Sequence, residues 1–340
     1  MPQPRISAAR STAPPPIAPH YLAPDQPPRR RRRRSLRGLG IAAAALLIAV
    51  GIGFSSSIPS WDGLGAAWTS FLPWTLVLLI VLGAAAVIRR AWWGISAVLV
   101  ATMVWSGVFA PQLIPASVTA GAPDLTVATQ NIGAANTDPA AAARALAASG
   151  AGIIAVQEIV GSSAGSQDTA AATAVLDAQY DNHALVSTVG LWSYWPMDAP
   201  EPLELGLSWA RALRVVVHHP AGDIVVYAVH LPSVRPRYTT ARDDGVAELA
   251  ALVAADPAAR VLVMGDLNTA TTDPTLSTLT EQLADSRETV KGGFGFTWPA
   301  GFPITRPDHV LGRGMTTVSD TVLPAVGSDH RAVLVGLTLR

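Results

Sequence analysis

The hydrophobic pattern divides the chain into two parts that contain different kinds of apolar segment. Three long apolar stretches follow one another in the first third of the sequence, over residues 39–58, 71–88 and 91–113. Each approaches the roughly 20 residues that an α-helix needs to cross the hydrocarbon core of a bilayer. The pattern therefore predicts a membrane domain over residues 38–114 with three transmembrane helices.

Beyond residue 122 the apolar segments are short and rich in β-branched residues, which is typical of buried strands. Four of them are Leu125–Thr129, Ile153–Val156, Ile224–Val229 and Val261–Met264. Alanine-rich stretches over residues 139–149 and 239–255 lie between strands and favour helices. Residues 123–340 are numerous enough to bury one sizeable core, and we predict that they form an α/β domain.

Composition and charge separate the same two parts. Half of the 340 residues are hydrophobic and the mean hydropathy is +0.33, which is more apolar than an ordinary soluble domain. The net charge is zero, but residues 1–122 carry eleven Lys or Arg and two Asp or Glu, whereas residues 123–340 carry thirteen and 22. The absence of cysteine excludes disulfides, thiolate catalysis and cysteine-based metal sites.

Residues 1–37 are rich in proline and arginine, and we predict a disordered cytoplasmic tail. Six consecutive arginines, Arg29–Arg34, suit either a nucleic-acid patch or the cytoplasmic flank of a membrane helix. The apolar stretch that follows favours the flank. Arg89 and Arg90, between the second and third stretches, are expected on the same side. Three crossings then place residues 123–340 outside the cell, in a multi-pass protein of the plasma membrane.

Two alternatives to this topology remain open. A cleavable signal peptide accounts for the arginines and the first apolar stretch, but it leaves the next two stretches unexplained. If the third stretch does not cross the membrane, the C-terminal domain lies in the cytoplasm.

Polar side chains stand where the predicted strands end or near them. They are Asn131, Glu158, His230, Asp266 with Asn268, Asp308, and Asp329 with His330. Each of these residues alone is also common in turns and on surfaces. Carboxylates, amides and imidazoles gathered at one rim of a sheet, however, suit a metal-assisted hydrolytic site. We therefore predict that these residues converge.

In these segments the chain resembles the endonuclease/exonuclease/phosphatase superfamily, which has a DNase I-like fold. The matching segments occur in the family's order: Gln130-Asn131, Gln157-Glu158, Val229–Leu231, Gly265–Asn268, Pro307–Leu311 and Ser328–His330. The resemblance implies that residues 123–340 form a four-layer α/β sandwich, in which two mostly antiparallel sheets are flanked by helices.

The resemblance also implies a divalent metal. Glu158 is the implied carboxylate ligand, and Asn131 and Asp329 are expected to complete or orient the metal shell. Oxygen ligands of this kind favour Mg²⁺, with Mn²⁺ as the alternative.

The remaining residues acquire catalytic roles from the same resemblance. His230 and Asn268 are expected to contact the scissile phosphate, and Asp266 is expected to orient the attacking water. Asp308 is expected to orient His330, which would act as a general base or stabilise the phosphate. Arg211 and Arg242 suit either phosphate binding or the surface.

The predicted reaction is hydrolysis of a phosphoester or pyrophosphate at the outer membrane face. The domain is acidic and holds a single lysine, Lys291, which disfavours long nucleic acids because nucleases need a basic track. Three apolar stretches before such a domain also resemble the membrane-anchored teicoplanin-resistance proteins. That resemblance implies a phosphorylated lipid as partner, specifically a lipid-carrier pyrophosphate of cell-wall synthesis.

Two other function classes remain open, a cell-surface nuclease and a non-catalytic membrane-binding module. Three structural questions also remain open. In some members of the resembled family an extra acid supports the histidine equivalent to His230; Glu201 and Glu204 are the candidates here, and the spacing does not decide between them. The aromatic segments 191–197 and 294–302 suit either a lip that contacts lipid or the core. The oligomeric state is not predicted.

Overall fold

The computed structural model describes most of the chain. It covers residue 1 and residues 38–58, 63–118, 121–133, 138–159, 167–235 and 239–339. The prediction of a disordered tail over residues 1–37 therefore lies, apart from Met1, outside the described residues. From Gly38 onward the chain forms one compact unit.

The described residues between 38 and 118 are mainly helical. The helices are α1 (Leu39–Gly53), α2 (Leu64–Ser70), α3 (Thr75–Ile88) and α4 (Trp92–Leu113), with 3₁₀ turns at Ser55–Ser57 and Leu72–Trp74. Of the described helices, α4 is long and apolar enough to cross a bilayer by itself. Helix α2 and residues 72–88 meet that standard only as a pair bent by 59°, and α1 is shorter than a span.

The helix boundaries correct two of the predicted ones. The first predicted stretch continues to residue 58, but α1 ends at Gly53, before three serines that have little helix propensity. The second begins at residue 71 in the prediction, but α3 begins at Thr75 because Pro73 lies in a 3₁₀ turn. Pro73 supplies no backbone N–H, so it suits the start of a helix and not its interior.

The outer surface of these helices is strongly apolar. Leu79 and Ala101 are buried between the helices, whereas Leu47 is 71% exposed, Ile80 63% and Trp92 78%. Soluble proteins rarely expose large contiguous apolar surfaces. The outward residues of α1, α3 and α4 are therefore suited to contact with lipid.

The described chain from residue 121 onward contains two six-stranded sheets. The strands are β1 (Leu125–Asn131), β2 (Ile153–Gln157), β3 (Asn182–Val186), β4 (Val189–Ser193), β5 (Glu201–Leu203), β6 (Ala212–Val217), β7 (Ile224–His230), β8 (Val261–Asp266), β9 (Ala284–Asp285), β10 (Asp308–Arg313), β11 (Met315–Val322) and β12 (Val333–Leu339). The first sheet has the order β11-β12-β1-β2-β4-β3, and the second has the order β5-β6-β7-β8-β10-β9. The pairs β1–β2 and β7–β8 are parallel and the other neighbours are antiparallel.

Helices cover the outer faces of both sheets. They are α5 (Pro139–Ala148), α6 (Gln167–Asp177), α7 (Thr239–Ala255), α8 (Ser277–Thr280) and α9 (Ser286–Val290). One hydrophobic core lies between the sheets, a second lies between the first sheet and α5 with α6, and a third lies between the second sheet and α7 with α8. The layers are therefore helix, sheet, sheet and helix, which confirms the predicted α/β sandwich with two mixed, mostly antiparallel sheets.

Candidate active site

Three neighbouring strands of the second sheet place polar side chains at the same end. β7 ends at His230, β8 ends at Asp266 and β10 begins at Asp308. Asp266 pairs with His230 on one side and with Asp308 on the other. Because directly paired residues point to the same face of a sheet, the three side chains form one row. This row is the floor of the candidate site.

Gly265 allows β7 and β8 to approach each other just before Asp266. Its φ is 146°, and a Cβ atom at this position would lie 2.0 Å from the carbonyl oxygen of Val229. Any side chain here would force the two strands apart and displace Asp266. The order Gly-Asp in this motif therefore has a steric cause.

Asn131 links the two sheets at the site. Its Nδ2 donates to Glu158 Oε1 at 3.2 Å and to Asp266 Oδ2 at 3.0 Å. Its Oδ1 accepts from the backbone N–H of Gly133 at 2.8 Å. The Asn131 amide thus holds Glu158, which follows a strand of the first sheet, next to Asp266, which ends a strand of the second sheet. In this arrangement Asn131 orients the two acids, and its role in the metal shell stays a prediction.

Glu158 and Asn268 share an unusual backbone conformation. Their φ values are 58° and 47°, and each residue comes one or two positions after the end of a strand. A residue with a Cβ atom adopts this left-handed region at a cost of about 1–3 kcal/mol, and such strain is concentrated at functional sites. Asn268 also donates through Nδ2 to the carbonyl oxygen of Leu231 at 2.9 Å.

Asp308 and His330 form the predicted pair. Asp308 Oδ2 lies 2.9 Å from His330 Nδ1 and also accepts from the hydroxyl of Thr297. Gln130 Nε2 donates to the His330 carbonyl oxygen at 2.9 Å, which fixes the backbone that carries the imidazole. His330 Nε2 then lies 4.0 Å from Asp266 Oδ2. Gln130 and Thr297 therefore act as positioning residues.

His230 contacts the acids and a neighbouring arginine. Its Nε2 lies 3.6 Å from Glu158 Oε1 and 4.0 Å from Asp266 Oδ2. Arg211 Nε donates to the His230 carbonyl oxygen at 2.8 Å, and Arg211 Nη2 lies 3.4 Å from the ring nitrogens. The guanidinium stacks on Trp209, with 4.5 Å between its carbon and the ring centroid. Arg211 thereby brings a positive charge to the site.

The two histidines carry different charges at neutral pH. Burial and the Arg211 cation lower the pKa of His230 to about 4, so this imidazole is neutral. Burial also disfavours the charged form of His330, but the carboxylates of Asp308 and Asp266 outweigh it and raise its pKa to about 10. Burial raises the pKa of Asp266 to about 7, although the His330 charge opposes the rise. The site thus combines a neutral imidazole with an imidazolium beside a carboxyl group that titrates near neutrality.

The raised pKa of Asp266 predicts a pH dependence of stability. The folded state binds this proton more tightly than the unfolded chain, whose aspartate pKa is about 3.9, so ionisation costs stability as pH rises through about 7. In EDTA, Asp266→Asn is expected to gain stability relative to wild type as pH rises from 5 to 8. Thermal unfolding of both proteins across this range measures the difference. A difference that does not change with pH would contradict the raised pKa.

The acids of the site fit a divalent cation. Asp266, Asp308 and His330 offer ligand atoms that all lie within 4.8 Å of one another. However, Asp308 is fully buried and, unlike Glu158 and Asp266, does not line the cavity; its Oδ2 contacts His330 and Thr297, and its Oδ1 has no hydrogen-bond partner among the described residues. The Glu158 side chain is 34% exposed and shares the Asn131 amide with Asp266. Glu158 and Asp266 are therefore the better oxygen ligands for Mg²⁺ or Mn²⁺.

A cavity of about 710 Å³ connects most of the predicted residues. Seven of the eight line it, namely Asn131, Glu158, His230, Asp266, Asn268, Asp329 and His330. Asp308 is fully buried and contacts His330. Asp329 is exposed, and its Oδ2 accepts from the indole N–H of Trp298 at 3.3 Å. The structure thus brings the predicted set together, whereas the metal-binding role of Asp329 stays a prediction.

The N-terminal helices contribute a part of the cavity wall that the sequence did not predict. Ala67 and Ser70 of α2, and Phe71 directly after it, line the same cavity as the polar residues. The segment carries no catalytic motif, and its position results from packing between residues far apart in the chain. Trp298, another cavity residue, belongs to the aromatic segment 294–302.

The two arginines considered as phosphate ligands lie in different environments. Arg211 lines the cavity, whereas the Arg242 side chain is 1% exposed and pairs with Asp273 at 2.8 Å. Arg242 Nη1 also donates to the carbonyl oxygen of Asn268 at 3.2 Å. Arg242 therefore supports the backbone of the site, and Arg211 remains the candidate for contact with substrate.

The acid beside His230 is Glu158 and neither of the two glutamates that were considered. Glu201 lies 3.8 Å from Arg214, and neither Glu201 nor Glu204 lines the cavity. Glu201 begins β5 and Glu204 follows it, and both are exposed. Neither candidate therefore lies in the cavity with His230.

The two aromatic segments also have different positions. In residues 191–197, Leu191 and Trp192 are fully buried and Trp195 packs against the main core. In residues 294–302, Phe294, Phe296 and Phe302 contact aromatic side chains of the N-terminal helical part. The first segment is therefore mainly core, and the second joins the domain to the helices.

Comparison with known proteins agrees with this site. The family model described as Endonuclease/Exonuclease/phosphatase family matches residues 128–330, which include the predicted polar set. A comparison with curated protein sequences gives no match.

Solved structures give the same fold. An endonuclease/exonuclease/phosphatase from Beutenbergia cavernae is 23% identical, with a TM-score of 0.54 over 64% of this chain and 72% of its own. Truncated Caenorhabditis elegans TDP2 is 15% identical, with a TM-score of 0.52 over 63% and 97%. A Leptotrichia buccalis family protein is also 15% identical, with a TM-score of 0.52 over 63% and 100%. By the match over residues 128–330, the chain belongs to the endonuclease/exonuclease/phosphatase family of phosphoester hydrolases.

Proposed function

We propose that the protein is a membrane-anchored, divalent-metal-dependent hydrolase of phosphoester or pyrophosphate bonds in a phosphorylated lipid. The observation that carries the proposal is the single cavity that joins Glu158, Asp266, His230 and His330. These residues come from both sheets, and such an assembly supplies a cation site, hydrogen-bond donors and a proton acceptor within reach of one phosphate. A lipid-carrier pyrophosphate of cell-wall synthesis is the specific candidate substrate.

The mechanism assigns a task to each side chain. A divalent cation bound by Glu158 and Asp266 would polarise a phosphoryl oxygen. Asp266, once ionised, accepts a hydrogen bond from the attacking water and aligns it. The His330 imidazolium, held by Asp308, stabilises the negative charge that develops on the phosphoryl oxygens. Asn268 retains one amide N–H beyond its bond to Leu231 and donates it to the same oxygens.

His230 is suited to the leaving-group side of the reaction. Its imidazole is neutral at pH 7, so it donates a hydrogen bond without adding charge. Arg211 fixes the backbone of His230 and presents its guanidinium to the cavity, where it binds a second phosphate oxygen. A pyrophosphate substrate would give Arg211 such a partner next to the scissile bond.

The apolar helices support a location in the plasma membrane. We propose three crossings, by α1, by residues 71–88 and by α4, with residues 1–37 in the cytoplasm. Arg89 and Arg90 are exposed in the turn between α3 and α4, where the positive-inside rule expects cytoplasmic charges. An odd number of crossings then puts the hydrolase domain and its cavity on the outer side.

A comparison of two substrates tests the proposal. Purified full-length protein with Mg²⁺ is given a long polyprenyl pyrophosphate and, separately, duplex DNA. We expect release of phosphate from the lipid at least tenfold faster than cleavage of DNA, because the net negative charge of residues 123–340 disfavours binding of a nucleic-acid backbone. Faster cleavage of DNA would show that the protein is a nuclease and not a lipid hydrolase. Turnover of neither substrate would favour a non-catalytic module.

A further inference from the structure

We propose that the segment from Leu64 to Trp74 is part of the substrate site, and that Phe71 binds the apolar chain adjacent to the phosphate. The proposal rests on the proposed function, which it extends from the chemistry to the substrate's hydrophobic portion. It follows from one observation, that Ala67, Ser70 and Phe71 line the cavity that holds the catalytic residues. The wall segment, as we call residues 64–74, connects two of the apolar helices.

Hydrogen bonds attach the wall segment to the hydrolase domain. The Thr272 hydroxyl donates to the Thr69 carbonyl oxygen at 2.5 Å, and the Trp74 indole N–H donates to the Ile304 carbonyl oxygen at 2.8 Å. Both bonds join residues about 200 or more positions apart in the chain. Thr69 is 1% exposed, so its contact excludes water. The wall segment is therefore a fixed boundary of the cavity.

Aromatic contacts hold the other end of the wall segment. Trp74 stacks on Phe296 with 6.1 Å between ring centroids, and its ring lies 5.9 Å from that of Phe302. These phenylalanines flank Trp298, which lines the cavity and is 37% exposed. Offset and tilted ring pairs at such distances add to the stabilisation from burial. The domain and the wall segment thus share one aromatic contact surface at the cavity.

The cavity consequently has chemically different sides. Its floor carries the acids and imidazoles, whereas Phe71 presents an aromatic ring that is 42% exposed. The wall segment lies between α1 and α3, whose outer surfaces are apolar. An amphiphile places its phosphate on the floor and its hydrocarbon chain along Phe71 towards those helices. A nucleic acid would instead place charged backbone against the ring, which the hydrophobic effect disfavours.

Substitution of Phe71 tests this assignment in the full-length protein in detergent micelles. A long polyprenyl pyrophosphate and dimethylallyl pyrophosphate share the scissile bond and differ in chain length. For Phe71→Ser we expect the ratio of kcat/KM, long substrate over short, to fall about tenfold, equivalent to about 1.4 kcal/mol. Phe71→Leu keeps an apolar wall and should retain the ratio within about threefold. Phe54→Ser, which changes an exposed aromatic outside the cavity, is the matched control.

The outcomes separate the inference from the proposed function. If wild type hydrolyses neither pyrophosphate, the proposed function fails and the inference falls with it. If wild type hydrolyses both and the ratio is the same in Phe71→Ser, the function stands and the inference is overturned. An equal fall in Phe54→Ser would also overturn it, because the effect would then come from general contact with micelles.

Discussion

Replacement of His330 with alanine is expected to lower kcat/KM for phosphoester hydrolysis by about 1000-fold. His330 is buried against Asp308, with 2.9 Å between Nδ1 and the carboxylate, and its pKa is raised to about 10. It therefore presents a fixed positive charge to the cavity at neutral pH. Loss of one such preorganised donor costs about 100- to 1000-fold in rate, and the neighbouring Asp266 also loses its countercharge. Steady-state rates at saturating Mg²⁺ provide the measurement.

The control for this substitution is a histidine outside the site. His183 is 43% exposed and lies 3.5 Å from Asp177, away from the cavity, so His183→Ala should keep activity within about twofold. Asp308→Asn should give an intermediate loss, since the imidazole remains but loses its charge partner. If His330→Ala retained more than about a third of wild-type activity, the role of His330 would be wrong.

Replacement of Glu158 with glutamine is expected to lower activity by about 100- to 1000-fold and to raise the Mg²⁺ concentration needed for half-maximal rate. The amide has the same size and reach, but it loses the negative charge that attracts a hard cation. Metal-assisted charge stabilisation contributes several kcal/mol, and each 1.4 kcal/mol is a factor of ten. Initial rates over a Mg²⁺ titration separate the lost affinity from the lost turnover.

A matched glutamate provides the control for that experiment. Glu204 is exposed and does not line the cavity, so Glu204→Gln should leave both the rate and the Mg²⁺ dependence unchanged. Equal behaviour of Glu158→Gln and wild type across the titration would remove Glu158 from the metal site.

The polar residues of the site could be predicted because their positions follow from strand geometry. His230 and Asp266 end short β-branched apolar runs that are typical of buried strands, and strands that pair in register bring their ends together. Such features depend on a few neighbouring residues, and the family resemblance supplied the order of the segments.

Other features depend on packing between distant residues and could not be read from local sequence. Arg211 and Arg242 were both candidates for phosphate binding, but Arg242 pairs in the interior with Asp273, 31 positions away. The wall segment is mostly apolar, and hydropathy alone does not distinguish contact with lipid from contact with a protein domain. The Asn131 amide contacts both Glu158 and Asp266, which lie far apart in the chain.

The central claim is that residues from both sheets form one metal-dependent hydrolytic site. The most direct measurement is turnover of polyprenyl pyrophosphate and of a small chromogenic phosphodiester by full-length protein, first in EDTA and then after addition of Mg²⁺ or Mn²⁺. We predict negligible turnover in EDTA and recovery of turnover after the metal is added. In Glu158→Gln this recovery should be weak. Turnover that continues in EDTA, or that never appears with either metal on any phosphoester, would contradict it.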